Sequence, residues 1–319
     1  WGSTMAQVLC DAGNDVLLWG RSVETVAEIN SSHTNKKYLG AHVLPTSLEA
    51  TNDLQRAFAH SDIYVLAIPA QELRPTLTTW KVNFSQSATI ISTLKGIEFS
   101  TQMRMTEVIE DVLGPHKIAI ITGPNLADEL VLRQPAGAVA AAPNDLISKE
   151  MIDLFTTPYF RVYPSQDLVG CELAGAAKSV IALAVGMAIG LDLGENTQSM
   201  IITRGLSEVA RFGDAYGSNP LTFLGLAGMG DLVASCGSGL SRNRTFGESL
   251  GRTGSMAKAR IEVAKTVEGV ASASAIEELA HRVGVEVPII ESVSDVVQSK
   301  KTPQEAMDRI MTVSMAAEI

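Results

Sequence analysis

Residues 1–21, WGSTMAQVLCDAGNDVLLWGR, hold the reading on which the fold turns. Gly2 opens a helix-forming stretch from about Thr4 to Ala12, Gly13-Asn14 make a turn, and an apolar strand runs to Arg21. A helix followed by a buried strand is what the second half of a βαβ unit requires. Gly2 fits the last glycine of a G-x-G-x-x-G dinucleotide fingerprint, close to the pyrophosphate. An ordinary helix start is the alternative that "WG" alone leaves open. The strand and the two earlier glycines of the fingerprint have no counterpart in these residues. If that strand is truly absent, the sheet loses a central strand and weak cofactor binding is expected.

The pattern continues outward from there. "DVLLWG", "DIYVLAIP", "ATIISTLKG", "KIAIITGP", "AGAVAAA" and "YFRVYP" read as strands. "SLEATNDLQRAFAH", "QELRPTLTTW" and "TQMRMTEVIEDVLG" read as helices, the last stopped by Gly114 and Pro115. The strands are short continuous apolar runs, which suit a parallel sheet covered on both faces. Strand–helix repetition predicts an α/β, doubly wound, mostly parallel sheet over residues 1–163. After Pro164 long helical segments take over, so residues 164–319 form an all-helical domain. Its last helix opens on a capping box, Thr302 with Glu305, around Pro303.

The chain has 319 residues, 46% hydrophobic and 19% charged, with a net charge of −10. That balance is globular and argues against a nucleic-acid partner and an acidic membrane surface. Cys10, Cys171 and Cys236 are far apart, and the five histidines form no cluster, so neither a disulfide framework nor a metal site is expected. A reducing, cytoplasmic compartment follows. The longest apolar run, Ser179–Leu193, is shorter than the ~20 residues that span a bilayer and reads as a buried helix, with no membrane insertion.

In doubly wound sheets, ligands sit beyond the carboxyl ends of the strands. Those positions hold Gly20-Arg21, Pro69, Lys95-Gly96 and Gly123-Pro124-Asn125. The first lacks the acid that binds a ribose 2′-hydroxyl. Arg21-Ser22 suit a 2′-phosphate, so NADP is expected, with NAD also used. Lys178 lies in a helix of small residues, as a snorkelling lysine or as a general base. Asp231 follows a glycine-rich turn, either capping a helix or orienting Lys178 or a substrate hydroxyl. Ser241 can cap a helix whose first turn carries Arg242 and Arg244. Cations there oppose the helix dipole unless an anion binds. Ser241, Arg242 and Asn243 therefore read as a phosphate clamp, against the alternative of a solvated helix face. Lys95 reads either as a solvated loop lysine or as a positive charge on the ligand side of the sheet for a phosphate or carbonyl oxygen, and Glu268 in "TVEG" is a candidate ribose or amide contact.

These segments stand in a fixed order: "WGSTMAQVL", "VLLWGR", "STLKGIE", "ITGPNLADEL", "ELAGAAKSVIALAVGMAIG", "MIITRGLSEVARFG", "LAGMGDLVASC", "SRNRTFG", "TVEGV" and "AHRVGVEVPI". In that order the chain resembles the bacterial type of NAD(P)-dependent glycerol-3-phosphate dehydrogenase over nearly its whole length. The resemblance implies a Rossmann-like domain followed by a helical substrate domain. It implies interconversion of dihydroxyacetone phosphate and sn-glycerol 3-phosphate for glycerophospholipid synthesis, and a homodimer. On the matching motifs, Lys178 falls on the proton acceptor, and Lys95 on a contact to cofactor and substrate. Gly123, Asn125, Asp231, Ser241, Arg242 and Asn243 fall on substrate positions. Trp1, Arg21, Ala127, Val267 and Glu268, with Arg242, fall on cofactor positions. Asn125 stands where Ser or Thr is usual, and Ser179 where Asn is usual. A related β-hydroxyacid dehydrogenase and a non-catalytic nucleotide-binding protein are the alternatives. "SRNR" favours phosphate over carboxylate, and retention of Lys95, Lys178 and Asp231 favours catalysis.

Overall fold

The computed structural model describes residues 1–264 and 266–312. The chain divides into two compact units. One comprises Trp1–Ile68, Glu72–Leu94 and Thr106–Leu168; the other comprises Pro69–Gln71, Lys95–Met105 and the chain from Val169 onward.

The first unit carries strands β1 (Leu17–Trp19), β2 (Glu49–Thr51), β3 (Ile63–Leu66), β4 (Thr89–Ser92), β5 (Lys117–Thr122), β6 (Ala136–Ala141) and β7 (Phe160–Ser165). Its helices are α1 (Gly2–Asp11), α2 (Val23–Ser32), α3 (Lys36–Leu39), α4 (Leu54–His60), α5 (Leu73–Trp80), α6 (Met105–Leu113), α7 (Ala127–Val131) and α8 (Asp145–Phe155). β1 and β2 pair in parallel; β3, β4 and β5 form a parallel run, β6 joins antiparallel, and β7 pairs in parallel with β6. The buried runs of β4 and β5 confirm a mostly parallel sheet covered on both faces.

One expected helix is corrected. "SLEATNDLQRAFAH" is half strand: Glu49–Thr51 pair with β1, and the helix begins only at Leu54. Leu48 and Ala50 are buried while Ser47 and Glu49 are exposed, an alternation of period two. Asp53 then caps α4, accepting from the amides of Gln55 at 2.9 Å and Arg56 at 3.2 Å.

The second unit holds α9 (Leu168–Gly190), α10 (Glu195–Ala215), α11 (Asp231–Gly237), α12 (Arg242–Thr253), α13 (Met256–Glu262), α14 (Glu268–Arg282), α15 (Pro288–Val297) and α16 (Pro303–Thr312). The apolar run expected from Ser179 belongs to a helix of 23 residues that begins at Leu168. By length and composition it is able to cross a membrane, yet 83% of its apolar window is buried inside the fold. α12 packs against it through glycines. A Cβ on Gly186 or Gly190 would overlap the carbonyl oxygens of Arg244 and Glu248. One on Gly247 or Gly251 would overlap those of Leu183 and Met187. At α16 the capping box forms as read, with Glu305 N donating to Thr302 Oγ1 and Thr302 N donating to Glu305 Oε2.

Glu208 of α10 is buried and caps α15: the Ile289 amide donates to both its carboxylate oxygens at 3.1 Å. Pro288 at the first position has no N–H to offer. Burial pushes the Glu208 carboxyl up to about 7, against the amides of Ile289 and Ile290 and the charge of Arg211; Glu291 adds to the rise. The folded state thus holds this proton more tightly than the unfolded chain, whose ordinary value is 4.5. Stability from this group is full below the unfolded value and is lost as pH rises through about 7. Urea unfolding should show wild type losing about 3 kcal/mol relative to Glu208→Gln between pH 4.5 and pH 8. Parallel pH profiles for the two proteins would remove the assignment.

Candidate active site

In the helical unit one carboxylate gathers two lysines. A single π-helical turn, Leu226–Gly230, runs into α11 and delivers Asp231 as its first residue. Gly228 in that turn lies where a Cβ would collide with the Phe223 backbone, so the turn closes only on glycine. Lys95 Nζ donates to Asp231 Oδ2 at 2.6 Å. Lys178 Nζ lies 3.1 Å from Asp231 Oδ1 and donates to Ser235 Oγ at 2.7 Å. The three side chains are 18%, 13% and 4% exposed for Lys95, Lys178 and Asp231. Asp231 is therefore not a helix cap, and Lys178 does not snorkel into solvent.

The electrostatics follow from two cations sharing one anion. Burial drives Lys95 below the ordinary lysine value; Asp231 resists, and the Lys178 charge adds to the fall. Burial alone would raise the Asp231 carboxyl, but Lys178 and Lys95 more than reverse this and hold it below its usual range. With both lysines charged, the cluster carries one surplus positive charge in a desolvated place. A neutral amine or an oxygen gaining negative charge relieves that surplus, which is the condition for proton transfer to an alkoxide.

α12 follows α11 after four residues. Ser241 caps it, its hydroxyl accepting from Arg244 N at 3.4 Å. Arg242 is exposed at the first helical position, and α12 has no acid in its first turn. Asn243 Oδ1 accepts from Gly269 N at 3.0 Å, so its carbonyl end is committed and its amide NH2 is the end left to donate. Val267 caps α14 through its backbone position alone. Glu268 accepts from Ala70 N at 3.4 Å, and burial raises its carboxyl despite that amide and the Arg242 charge. Ser235 was not legible as a site residue. Its signal is its place one turn after Asp231, which puts both on one face of α11.

The sheet unit holds the remaining residues. Gly2 begins α1, and a Cβ there would touch Leu18 Cδ1 at 3.9 Å and Ala67 Cβ at 3.6 Å. The Trp1 indole donates to Thr93 Oγ1 at 2.8 Å, just past β4. The start of α1 therefore sits at the carboxyl ends of β1, β3 and β4. It has no side-chain cap and no acid in its first turn, which leaves amide N–H groups for an anion. This cradle fits a dinucleotide pyrophosphate. Arg21 is exposed just after β1. Ser22 is less available than its sequence position suggests: its hydroxyl accepts from Thr25 N at 3.1 Å and donates to Glu24 at 2.7 Å. Gly123 has a φ of 138°, and a Cβ would lie 3.0 Å from Gly137 O. Asn125 Nδ2 donates to that same carbonyl at 3.1 Å, while its Oδ1 is buried without a partner among the described residues. Ala127 opens α7. No group of three or more His, Cys, Asp or Glu side chains among the described residues is placed to hold a metal.

An anion-ready helix start at a parallel sheet in one unit, and a lysine–carboxylate–lysine cluster in the helical unit, are features that a nucleotide-linked oxidoreductase presents. Family models agree and are more specific. One described as NAD-dependent glycerol-3-phosphate dehydrogenase N-terminus matches residues 1–147, and one described as the C-terminus of the same enzyme matches residues 167–308. The chain belongs to the NAD-dependent glycerol-3-phosphate dehydrogenase family. It is 45% identical to the glycerol-3-phosphate dehydrogenase [NAD(P)+] of Streptomyces coelicolor, over 100% of this chain and 95% of that one. It is 46% identical to the enzyme of the same name from Corynebacterium glutamicum, over 100% and 97%. The crystal structure of glycerol-3-phosphate dehydrogenase from Coxiella burnetii superposes with a TM-score of 0.93 at 31% identity, covering 98% of this chain and 96% of that one.

Proposed function

We propose that Lys178, Lys95 and Asp231 carry out proton transfer in the interconversion of dihydroxyacetone phosphate and sn-glycerol 3-phosphate with NAD(P)H. The observation that carries this is the buried Asp231 carboxylate shared between Lys95 Nζ at 2.6 Å and Lys178 Nζ at 3.1 Å. When bound, the nicotinamide supplies or takes the hydride at the reacting carbon. Lys178 gives its proton to the forming alkoxide, and in the oxidative direction its neutral amine removes the hydroxyl proton. Asp231 and Ser235 fix where that amine points. Lys95 keeps a second positive charge against the oxygen as charge develops there. In the sheet unit, Trp1, Arg21 and Ala127 are the residues assigned to the cofactor; in the helical unit, the resemblance assigns Val267, Glu268 and Arg242. The uncapped start of α1 supports the pyrophosphate assignment.

Ser241, Arg242 and Asn243 hold the phosphate, with the free amides at the start of α12. Binding energy placed there, away from the reacting carbon, orients the carbonyl for reaction. Arg242→Ala should raise KM for dihydroxyacetone phosphate about 100-fold, the loss of a charge-assisted contact, and leave a non-phosphorylated dihydroxyacetone analogue unaffected. Following NAD(P)H absorbance with both substrates reads this directly. Equal effects on the two substrates would remove the clamp.

Supply of glycerol 3-phosphate to glycerophospholipid synthesis is supported by the product's identity as the phosphate-bearing backbone of those lipids. A cytoplasmic location is supported by three free cysteines and a strongly negative net charge. A homodimer is supported by the exposure of five large apolar side chains within one stretch of twenty residues, Leu221, Leu224, Met229, Val233 and Leu240.

A further inference from the structure

The segment that carries Lys95 is an excursion. The chain leaves β4 at Ser92, and Lys95–Met105 packs with the helical unit before α6 continues the sheet unit. It folds back on itself as a short hairpin. Ile97 and Arg104 form an antiparallel bridge, and Glu98 N donates to Met103 O at 2.9 Å. Its apolar member, Ile97, is fully buried in the helical core. Gln71 holds the middle: its Nε2 donates to Ile97 O at 2.8 Å, and its Oε1 accepts from Phe99 N at 3.0 Å. Arg282 of α14 donates to Gln102 Oε1 at 2.8 Å.

The far end of the hairpin is fastened differently. Arg104 donates to Glu172 Oε2 at 2.5 Å, and the two side chains are 11% and 4% exposed. A buried ion pair is a poor source of stability, because desolvation consumes most of the attraction. It is a good source of fixed geometry, since a planar guanidinium accepts few arrangements. Glu172 lies on α9, six residues before Lys178, about 9 Å along the same helix. One rigid helix therefore holds the proton-transferring lysine directly and grips the strap that bears the other.

We infer that the Arg104–Glu172 pair is a positioning device that ties the Lys95 hairpin to the helix of Lys178 and so sets where Lys95 meets Asp231. Arg104 and Glu172 are positioning residues, acting only through Lys95. The inference rests on the assignment of Lys95 to the reacting oxygen.

The test is steady-state kinetics on full-length variants of confirmed fold. The double variant Arg104→Met with Glu172→Leu replaces the pair by apolar side chains of similar volume, which commonly keeps stability. It is expected to retain its melting temperature within a few degrees, to lose about tenfold in kcat, and to keep KM for the cofactor. Glu172→Gln, which retains a hydrogen bond to Arg104, is expected to recover most of that loss, whereas Arg104→Lys, which keeps the charge but not the planar fork, is expected to lose about tenfold in kcat and serves if the double variant does not fold. A kcat within twofold of wild type in the folded double variant, or in Arg104→Lys where that variant stands in for it, overturns the inference. So does a parallel loss in kcat and cofactor KM, which marks general damage. Lys95→Ala is run alongside. If it retains wild-type kcat, the assignment of Lys95 fails. If it is inactive while the pair variants are normal, only the positioning role fails.

Discussion

Lys178→Ala is expected to lower kcat by about 10³-fold in either direction while NADPH still binds with wild-type affinity. The amine is held in one orientation, because it donates to Ser235 Oγ at 2.7 Å and lies against Asp231. Alanine removes the surplus positive charge and leaves the carboxylate its other partner, Lys95, so the cluster becomes neutral and the fold should survive. The residual rate would come from Lys95 acting on the oxygen and from the phosphate clamp holding the substrate. Activity is read by NAD(P)H absorbance, and binding by the change in nicotinamide fluorescence. A turnover near wild type would end the assignment of Lys178 as acid and base.

The second large effect belongs to Asp231. Asp231→Ala strands two buried ammonium groups without their counter-charge, a loss of about 3–5 kcal/mol in stability when a buried pair is broken. Asp231→Asn keeps the volume and one acceptor, so it should fold more readily while still losing most activity. The sign of the pH dependence is fixed by the direction of its shift. The folded carboxyl is held below the ordinary 3.8 by Lys178 and Lys95, against burial. Its stabilisation is therefore present above that value and is lost as pH falls through the folded one. Urea unfolding should show the gap between wild type and Asp231→Asn narrowing in acid. A gap that persists unchanged below pH 3 would mean that the two lysines do not depend on this charge.

Much of this site was legible in the sequence because each residue sits at a local signal. Lys178 interrupts a run of small residues, Asp231 follows a glycine turn, and Ser241 precedes an arginine-bearing helix start. The type of each unit was legible from period and run length. What was not legible depends on contacts between distant positions. "SLEAT" pairs with β1 about thirty residues upstream, and that pairing outweighed the helical look of the longer stretch. The pairing of Arg104 with Glu172 joins residues 68 apart, and neither is unusual in its own segment. Ser22 shows the converse. Its position suggested a ligand, but the start of α2 had a prior claim on its hydroxyl.

The glycine contacts between α9 and α12 bear on selectivity. Both helices approach until their backbones touch, at Gly186 and Gly190 on one and Gly247 and Gly251 on the other. α9 carries Lys178, proposed as the base, and α12 begins with the residues assigned to the phosphate. At these four glycines no side chain lies between the two backbones to repack, which fixes the spacing of the helices there. A substrate is then measured from its phosphate to its reacting carbon. A homologue longer by one methylene is expected to show a lower kcat/KM than dihydroxyacetone phosphate, read by NAD(P)H absorbance with both substrates. On these assignments, discrimination by length is expected to depend on bare backbone, at glycines that are themselves assigned no contact to the substrate.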